Sequence, residues 1–319
     1  MKTHQSSLTI GLAQIAPVWL NRAATLRKVV AFIEEAAAHH CELVAFGEAL
    51  VPGYPFWVEL TDGARFNSAL QKSIYAEYAE QAIQPEAGHL DTVCEAAARH
   101  RIAVYLGTIE RAVDRGGHSL YCSLVYIAPD GAIGSIHRKL MPTHEERLVW
   151  SPGDGHGLRT HALDPFRVGG LNCWENWMPL SRTALYAQGE DLHVAVWPGN
   201  ARNTQDITKF IALESRSYVA SVSGLMRRED IGSGSAWREA VSAAAPDILA
   251  NGGSCLAGPD GEWILPPAPA EEKLYTATLD FRRILEERQN FDVAGHYSRP
   301  DVTRLEVDRR RQSLLAKHD

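Results

Sequence analysis

No apolar run in this 319-residue sequence approaches the ~20 residues that a membrane-spanning helix needs. Basic charge is not in excess either. The 32 Lys and Arg face 39 Asp and Glu, giving a formal net charge of −7 and a pI near 6.0. Nucleic acid and anionic membrane, which call for a basic surface, are therefore not expected partners. Cysteine is scarce, with five residues scattered at 41, 94, 122, 173 and 255. An odd, dispersed set argues against a disulfide framework and fits reduced thiols in a cytoplasmic protein. The start, Met1 to Ser7, leads straight into the alternating Leu8-Thr-Ile-Gly-Leu-Ala13 and reads as carrying no leader. Thirteen histidines are present, and His137, His144, His156 and His161 lie close in sequence. None has the Cys-x-x-Cys or His-Glu-x-x-His spacing of a zinc site, so no metal is expected. Gly153-Asp-Gly-His-Gly157 fits no phosphate-loop pattern, and Ser254 sits in no Gly-x-Ser-x-Gly elbow. No cofactor is implied.

The composition that remains, 45% hydrophobic and 22% charged, is that of a globular protein with one large or two small domains. Residues 8–16 alternate as a strand. The stretch 22–40 carries Leu26, Val29, Val30 and Ile33 at helical spacing, and Leu43-Val-Ala-Phe46 reads as a buried strand. Pro52-Gly-Tyr-Pro55 breaks the chain, and helices are expected at about 68–82 and 87–100. Strands follow at 102–109, 120–127 and 132–137, the last two joined by Pro129-Asp-Gly131. Further strands are expected up to Cys173 and at 192–197, 218–223, 254–257 and 274–279, with helices near 181–189 and 205–217. The stretch 226–250, containing Gly232-Ser-Gly-Ser235, reads as a mobile surface segment. Alternating strands and helices without an internal repeat or a dividing linker imply one α/β layered domain over 1–280. An irregular tail follows over 281–319.

Three reactive side chains stand where strands end. Glu48 follows Leu43–Phe46, Lys139 follows the strand at 132–137, and Cys173 ends the run Val168-Gly-Gly-Leu-Asn-Cys173. Loops at strand ends of α/β sheets converge on one crevice, which makes the three a candidate constellation. A thiol needs a base and an oxyanion stabiliser to act as a nucleophile. Glu48 could be the base, Lys139 and the Trp174 amide the stabilisers, and Glu146 a partner that keeps Lys139 charged or positions water. Singly, each has a plainer reading as a buried small hydrophobe or a solvated charge. The local sequence around each decides between the two.

Phe46-Gly-Glu-Ala-Leu-Val-Pro-Gly-Tyr-Pro55, His137-Arg-Lys-Leu-Met-Pro-Thr-His-Glu-Glu-Arg147, Asn172-Cys-Trp-Glu-Asn-Trp-Met-Pro-Leu180 and Gly295-His-Tyr-Ser-Arg-Pro-Asp301 occur in that order. With these the chain, from about residue 8 to 305, resembles the nitrilase superfamily of carbon–nitrogen hydrolases and, within it, the nitrilase branch. The resemblance implies an αββα sandwich, two β-sheets between helix layers, and homo-oligomers built from dimers, with the 281–319 tail contacting a neighbouring subunit. It implies Cys173 as nucleophile, with Glu48, Lys139 and Glu146 completing the catalytic set. Gly47 departs from a proline common in the family, and Trp177 from a tyrosine.

The implied reaction is hydrolysis of a nitrile to a carboxylic acid and ammonia through a thioimidate and a thioester. The alternative is an amidase using the same residues on a carboxamide. Tyr54, Trp57, Trp150, Trp174, Trp177 and Pro198 are the expected substrate-binding residues. Their aromatic character suggests an aromatic or arylaliphatic nitrile.

Overall fold

The computed structural model describes residues 6–315. Residues 1–5, most of the start read as leaderless, and residues 316–319, the end of the tail, lie outside the described residues. The first sheet uses β1 (Ser7–Gln14), β2 (Leu43–Phe46), β3 (Ala103–Arg111), β4 (Leu120–Ile127) and β5 (Ile133–Arg138). The second begins with β6 (His161–Leu163), β7 (Phe166–Asn172), β8 (Leu192–Trp197) and β9 (Tyr218–Ser223). A separate hairpin, β10 (Leu225–Arg227) and β11 (Ile248–Asn251), precedes β12 (Cys255–Ala257) and β13 (Trp263–Leu265), which complete the second sheet. The chain then returns as β14 (Lys273–Asp280), antiparallel to β1 on the edge of the first sheet.

The two sheets stack face to face because each strand between them is apolar on one face. Leu8, Ile10 and Leu12 of β1 and Leu43 and Ala45 of β2 meet Val168, Val194, Val196 and Tyr218 of the second sheet in one buried cluster. The opposite face of β2, Val44 and Phe46, packs on the outer helices α1 (Arg22–Ala38) and, farther along the chain, Asp91–His100. Between these helices come α2 (Trp57–Leu60) and α3 (Ala69–Gln81), so Asp91–His100 is α4. The outer layer of the second sheet is α5 (Pro179–Tyr186) and α6 (Ala201–Ser215). Helix, sheet, sheet, helix is the αββα sandwich that the resemblance implies. Among the described residues, no helix is long and apolar enough to cross a membrane.

Two expectations need correction. The stretch 226–250 is ordered by its side chains: α7 (Ala236–Ala244) is capped by Ser235 and buries Trp237 and Val241, and Ile231 just before it is also buried. Trp237 and Arg238 both bind Glu77 of α3, fixing the segment to the body of the protein. Nor is the tail irregular from its first residue, because α8 (Phe281–Arg288) buries Ile284 against the inter-sheet core. Later, Arg311 forms an ion pair with the buried Asp154 at 2.9 Å and donates to the Ile136 carbonyl of β5, holding the tail to its own chain.

Sheet direction sets up the site. β2 and β3 are parallel, β4 is antiparallel to β3, and β5 is antiparallel to β4. β5 therefore runs the same way as β2, and their C-terminal ends point to the same edge of the first sheet. Glu48 lies two residues past β2, and Lys139 immediately past β5. Cys173 lies immediately past β7 of the facing sheet.

Candidate active site

Lys139 Nζ donates to Glu48 Oε1 at 2.8 Å and to Glu146 Oε2 at 2.7 Å, and all three side chains are buried. Cys173 joins them: its sulfur and one carboxylate oxygen from each glutamate lie within 4.8 Å of one another. Three groups of metal-ligating type thus share one spot, but the cation bonded to both carboxylates is the lysine ammonium. His137, His144, His156 and His161 do not converge there. They bind Glu175, Glu145, the Arg309 carbonyl and Ser135 respectively.

Each group is held by its backbone. Glu48 N–H donates to the Trp197 carbonyl of the second sheet at 3.1 Å, so the end of β2 is tied across the sandwich. Gly47 allows that approach, since a Cβ there would come within 2.9 Å of the Gly224 nitrogen and 3.0 Å of the Trp197 oxygen. Glu146 accepts from the Thr143 amide in a capping box and from the Tyr54 hydroxyl at 2.9 Å. Cys173 has φ of +49°, a left-handed conformation that costs an L-residue energy and persists only where its surroundings enforce it. Those surroundings centre on Glu175. Its carboxylate accepts from Asn172 N–H at 3.0 Å, from Leu140 N–H and from His137 Nε2 at 3.0 Å, joining the cysteine turn to the lysine segment. Asn176 adds a second brace. Its Nδ2 donates to the Cys173 carbonyl at 2.7 Å, and its Oδ1 pairs with the buried His193, which also binds Glu190.

Burial dominates the electrostatics. It pushes the Glu48 carboxyl up to about 7, with Lys139 pulling down and Glu146 pushing up. The Cys173 thiol is raised well above its ordinary value, first by burial and then by Glu48, while Lys139 and the Trp174 amide favour the thiolate. Burial works against the Lys139 ammonium, yet Glu48, Cys173 and Glu146 together raise it well above its ordinary value. One oxygen is left over: Glu48 Oε2 is buried with no hydrogen-bond partner among the described residues. A carboxyl titrating near neutrality with a free oxygen beside a thiol is suited to accept its proton.

The expected substrate-binding residues do not all reach this centre. Tyr54 and Pro198 line a tight cleft with Glu48, in company with Phe56, Leu225 and Met226. Its free volume of about 10 Å³ holds about one water. Trp150 stacks edge-on against Tyr54, and the Lys139 ammonium lies 5.5 Å from its ring centre. Trp57 is fully buried behind this wall against Tyr78 and Trp19, because α2 turns its ring inward. Trp174 and Trp177 are 50% and 43% exposed, with ring centres 6.4 Å apart on the surface. A wider depression of about 730 Å³ near Arg227 and Asp247 contains none of the four reactive residues, and its arginines are paired with Glu229 and Asp247.

Sequence reading passed over Cys122, His137 as a partner of Glu175, Asn176, His193, Phe56 and Met226. The capping pattern Asn172-x-x-Glu175 was a legible signal for one of these braces. The others are interior strand or loop residues whose neighbours only the fold supplies.

An α/β sandwich that gathers a thiol, two carboxylates and an ammonium at adjoining sheet ends has the parts of a hydrolase working through sulfur. The carbon–nitrogen hydrolase family model matches residues 9–289, so the chain belongs to that family, and to its nitrilase branch. It is 36% identical over 316 residues to a "Nitrilase 2" of an unknown prokaryotic organism, covering 98% of this chain and 96% of that protein. An aliphatic nitrilase of Rhodococcus rhodochrous is 34% identical, covering 96% of this chain and 81% of that one. An arylacetonitrilase of Aspergillus niger is also 34% identical, covering 95% and 92%. Among solved structures, Saccharomyces cerevisiae Nit3, of branch 10 of the nitrilase superfamily, superposes with a TM-score of 0.70 at 19% identity, covering 93% of this chain and 98% of that one. That likeness shows the fold.

Proposed function

We propose that this protein is a nitrilase, hydrolysing R–C≡N to R–COOH and ammonia with Cys173 as nucleophile. The observation that carries the reading is the Lys139 ammonium bonded to both Glu48 and Glu146 within reach of a buried thiol. In this reading Glu48 Oε2 takes the thiol proton, and the thiolate adds to the nitrile carbon. Charge growing on nitrogen meets Lys139 and the Trp174 amide, and a proton completes the thioimidate. Water activated by Glu48 adds to that carbon, the C–N bond breaks and ammonia leaves a thioester. A second water releases the acid and restores the thiol. Two waters are consumed and no cofactor is involved. The five cysteines are all unpaired, which supports work in the reducing cytoplasm.

The decisive experiment measures ammonia release from a matched nitrile and amide. The nitrile should turn over and Cys173→Ala should abolish turnover with folding intact. Faster release from the amide would favour an amidase instead, and near wild-type activity of Cys173→Ala would remove the nucleophile.

The substrate reading is an aromatic or arylaliphatic nitrile, supported by Tyr54, Phe56 and Trp150 around the cleft. The relatives' names span aliphatic and arylaceto substrates and do not choose between them. Because the cleft is tight, the walls at 54–56 and 225–226 must part to admit a ring. A higher kcat/KM for phenylacetonitrile than for propionitrile is expected, and a clear alkyl preference refutes the idea. Homo-oligomers built from dimers belong to the same reading. The apolar face of α5 and α6 is to be covered by a second copy, and tail residues 292–295, packed beside the ends of these helices, are placed to touch it.

A further inference from the structure

The proposed chemistry leaves a second buried thiol beside it without a task. Cys122 is fully buried in β4, and its sulfur lies 3.5 Å from Glu48 Oε1 and 3.9 Å from Asn172 Oδ1. Its backbone carbonyl accepts from the Lys139 amide at 2.8 Å. One residue therefore touches the carboxylate, the backbone of the lysine and the residue immediately before the nucleophile. Buried cysteines commonly serve only as small apolar filler. A filler has no need of polar neighbours, whereas this thiol faces two oxygens and can donate to one at a time.

We propose that Cys122 is a positioning residue for hydrolysis: its S–H and the Lys139 ammonium together occupy Glu48 Oε1, leaving Oε2 as the oxygen that receives the proton of Cys173. The proposal rests on Glu48 acting as the general base. Glu48 Oε1, 3.5 Å away against 3.9 Å for Asn172 Oδ1, is the nearer acceptor for the thiol. A hydrogen bond to the ionised form of a carboxyl favours that form, and here it opposes the burial that holds Glu48 up. Cys122 is thus placed to set both which oxygen is free and how readily it titrates.

Cys122→Ala and Cys122→Ser, followed through kcat/KM from pH 5 to 9 on one nitrile, test the proposal. Removing the donor should move the acid limb up by about half a pH unit and lower kcat by less than about tenfold, with KM little changed. Serine, whose hydroxyl is a stronger donor to the ionised carboxyl, should move the limb below the wild-type position. Identical limbs and kcat in wild type, alanine and serine would overturn the assignment. If the alanine variant fails to fold, the serine variant decides alone: a limb unmoved and a kcat unchanged sink it. Glu48→Gln is measured alongside, since wild-type turnover in that variant would fell the general-base reading itself, a failure separable from any result at Cys122.

Discussion

Glu48 shows how much one side chain's surroundings determine. A glutamate in water is ionised at neutral pH and too weak a base to compete for a thiol proton. Burial at the end of β2 changes that, pushing it up to about 7 against the pull of Lys139. Below about 7 the carboxyl holds its own proton and cannot accept one from Cys173. Raising the pH through that value frees it, so kcat/KM should climb through about pH 7. Glu48→Gln should fall to background at every pH. A profile flat from pH 5 to 8 in the wild type would contradict a Glu48 base. That Glu48, Lys139 and Cys173 come together was legible in the sequence because each stands just past the end of a strand-like run. Cys122 and His137 were not, since an interior strand residue reads as filler or surface until the facing sheet is known.

At the scale of elements, the nucleophile turn and the lysine segment come from different sheets and need a cross-tie. Glu175 is that tie, buried and bonded to Asn172 N–H, Leu140 N–H and His137. Burial alone would raise its carboxyl, but His137 and the two amides bring it below its ordinary value, so it stays ionised. Glu175→Ala would leave two amides and an imidazole unpaired in the interior, costing about 3–5 kcal/mol, readable in urea unfolding. Glu175→Gln keeps the volume and one acceptor oxygen, and should fold with kcat reduced while KM changes little. Wild-type kcat in that variant would show that the tie does not set the geometry. Element order was largely readable, as in β4 and β8, whose bounds match the expected 120–127 and 192–197. The stretch 226–250 was misread because Gly232-Ser-Gly-Ser235 outweighed Trp237 and Val241, a pair spaced four apart that needs α3 beside it to be buried.

At the scale of the whole molecule, the second sheet's outer layer is unfinished. Leu180 of α5 is 68% exposed and Phe210 of α6 48%, with Leu213, Trp177 and Met178 also open. Arg182 links the two helices by its ion pair to Glu214 and its position over the Phe210 ring, so these residues share one face. Contiguous exposed apolar side chains are the kind of surface at which proteins meet partners, and the homo-oligomer proposed above would place a second copy on this face. Two copies meeting through the same helices would bury it symmetrically, each supplying the area of about 800 Å² that a stable interface takes. Light scattering at micromolar concentration should then give a mass of twice 35.2 kDa or a multiple of that. Leu180→Asp with Phe210→Asp should shift the protein to monomer while far-ultraviolet circular dichroism is retained, because neither side chain belongs to a buried cluster. A wild type that already runs at 35.2 kDa would leave the face uncovered and end the dimer reading. If the doubly substituted monomer also loses turnover, the second copy steadies the turn at 173–177, which leads directly into α5.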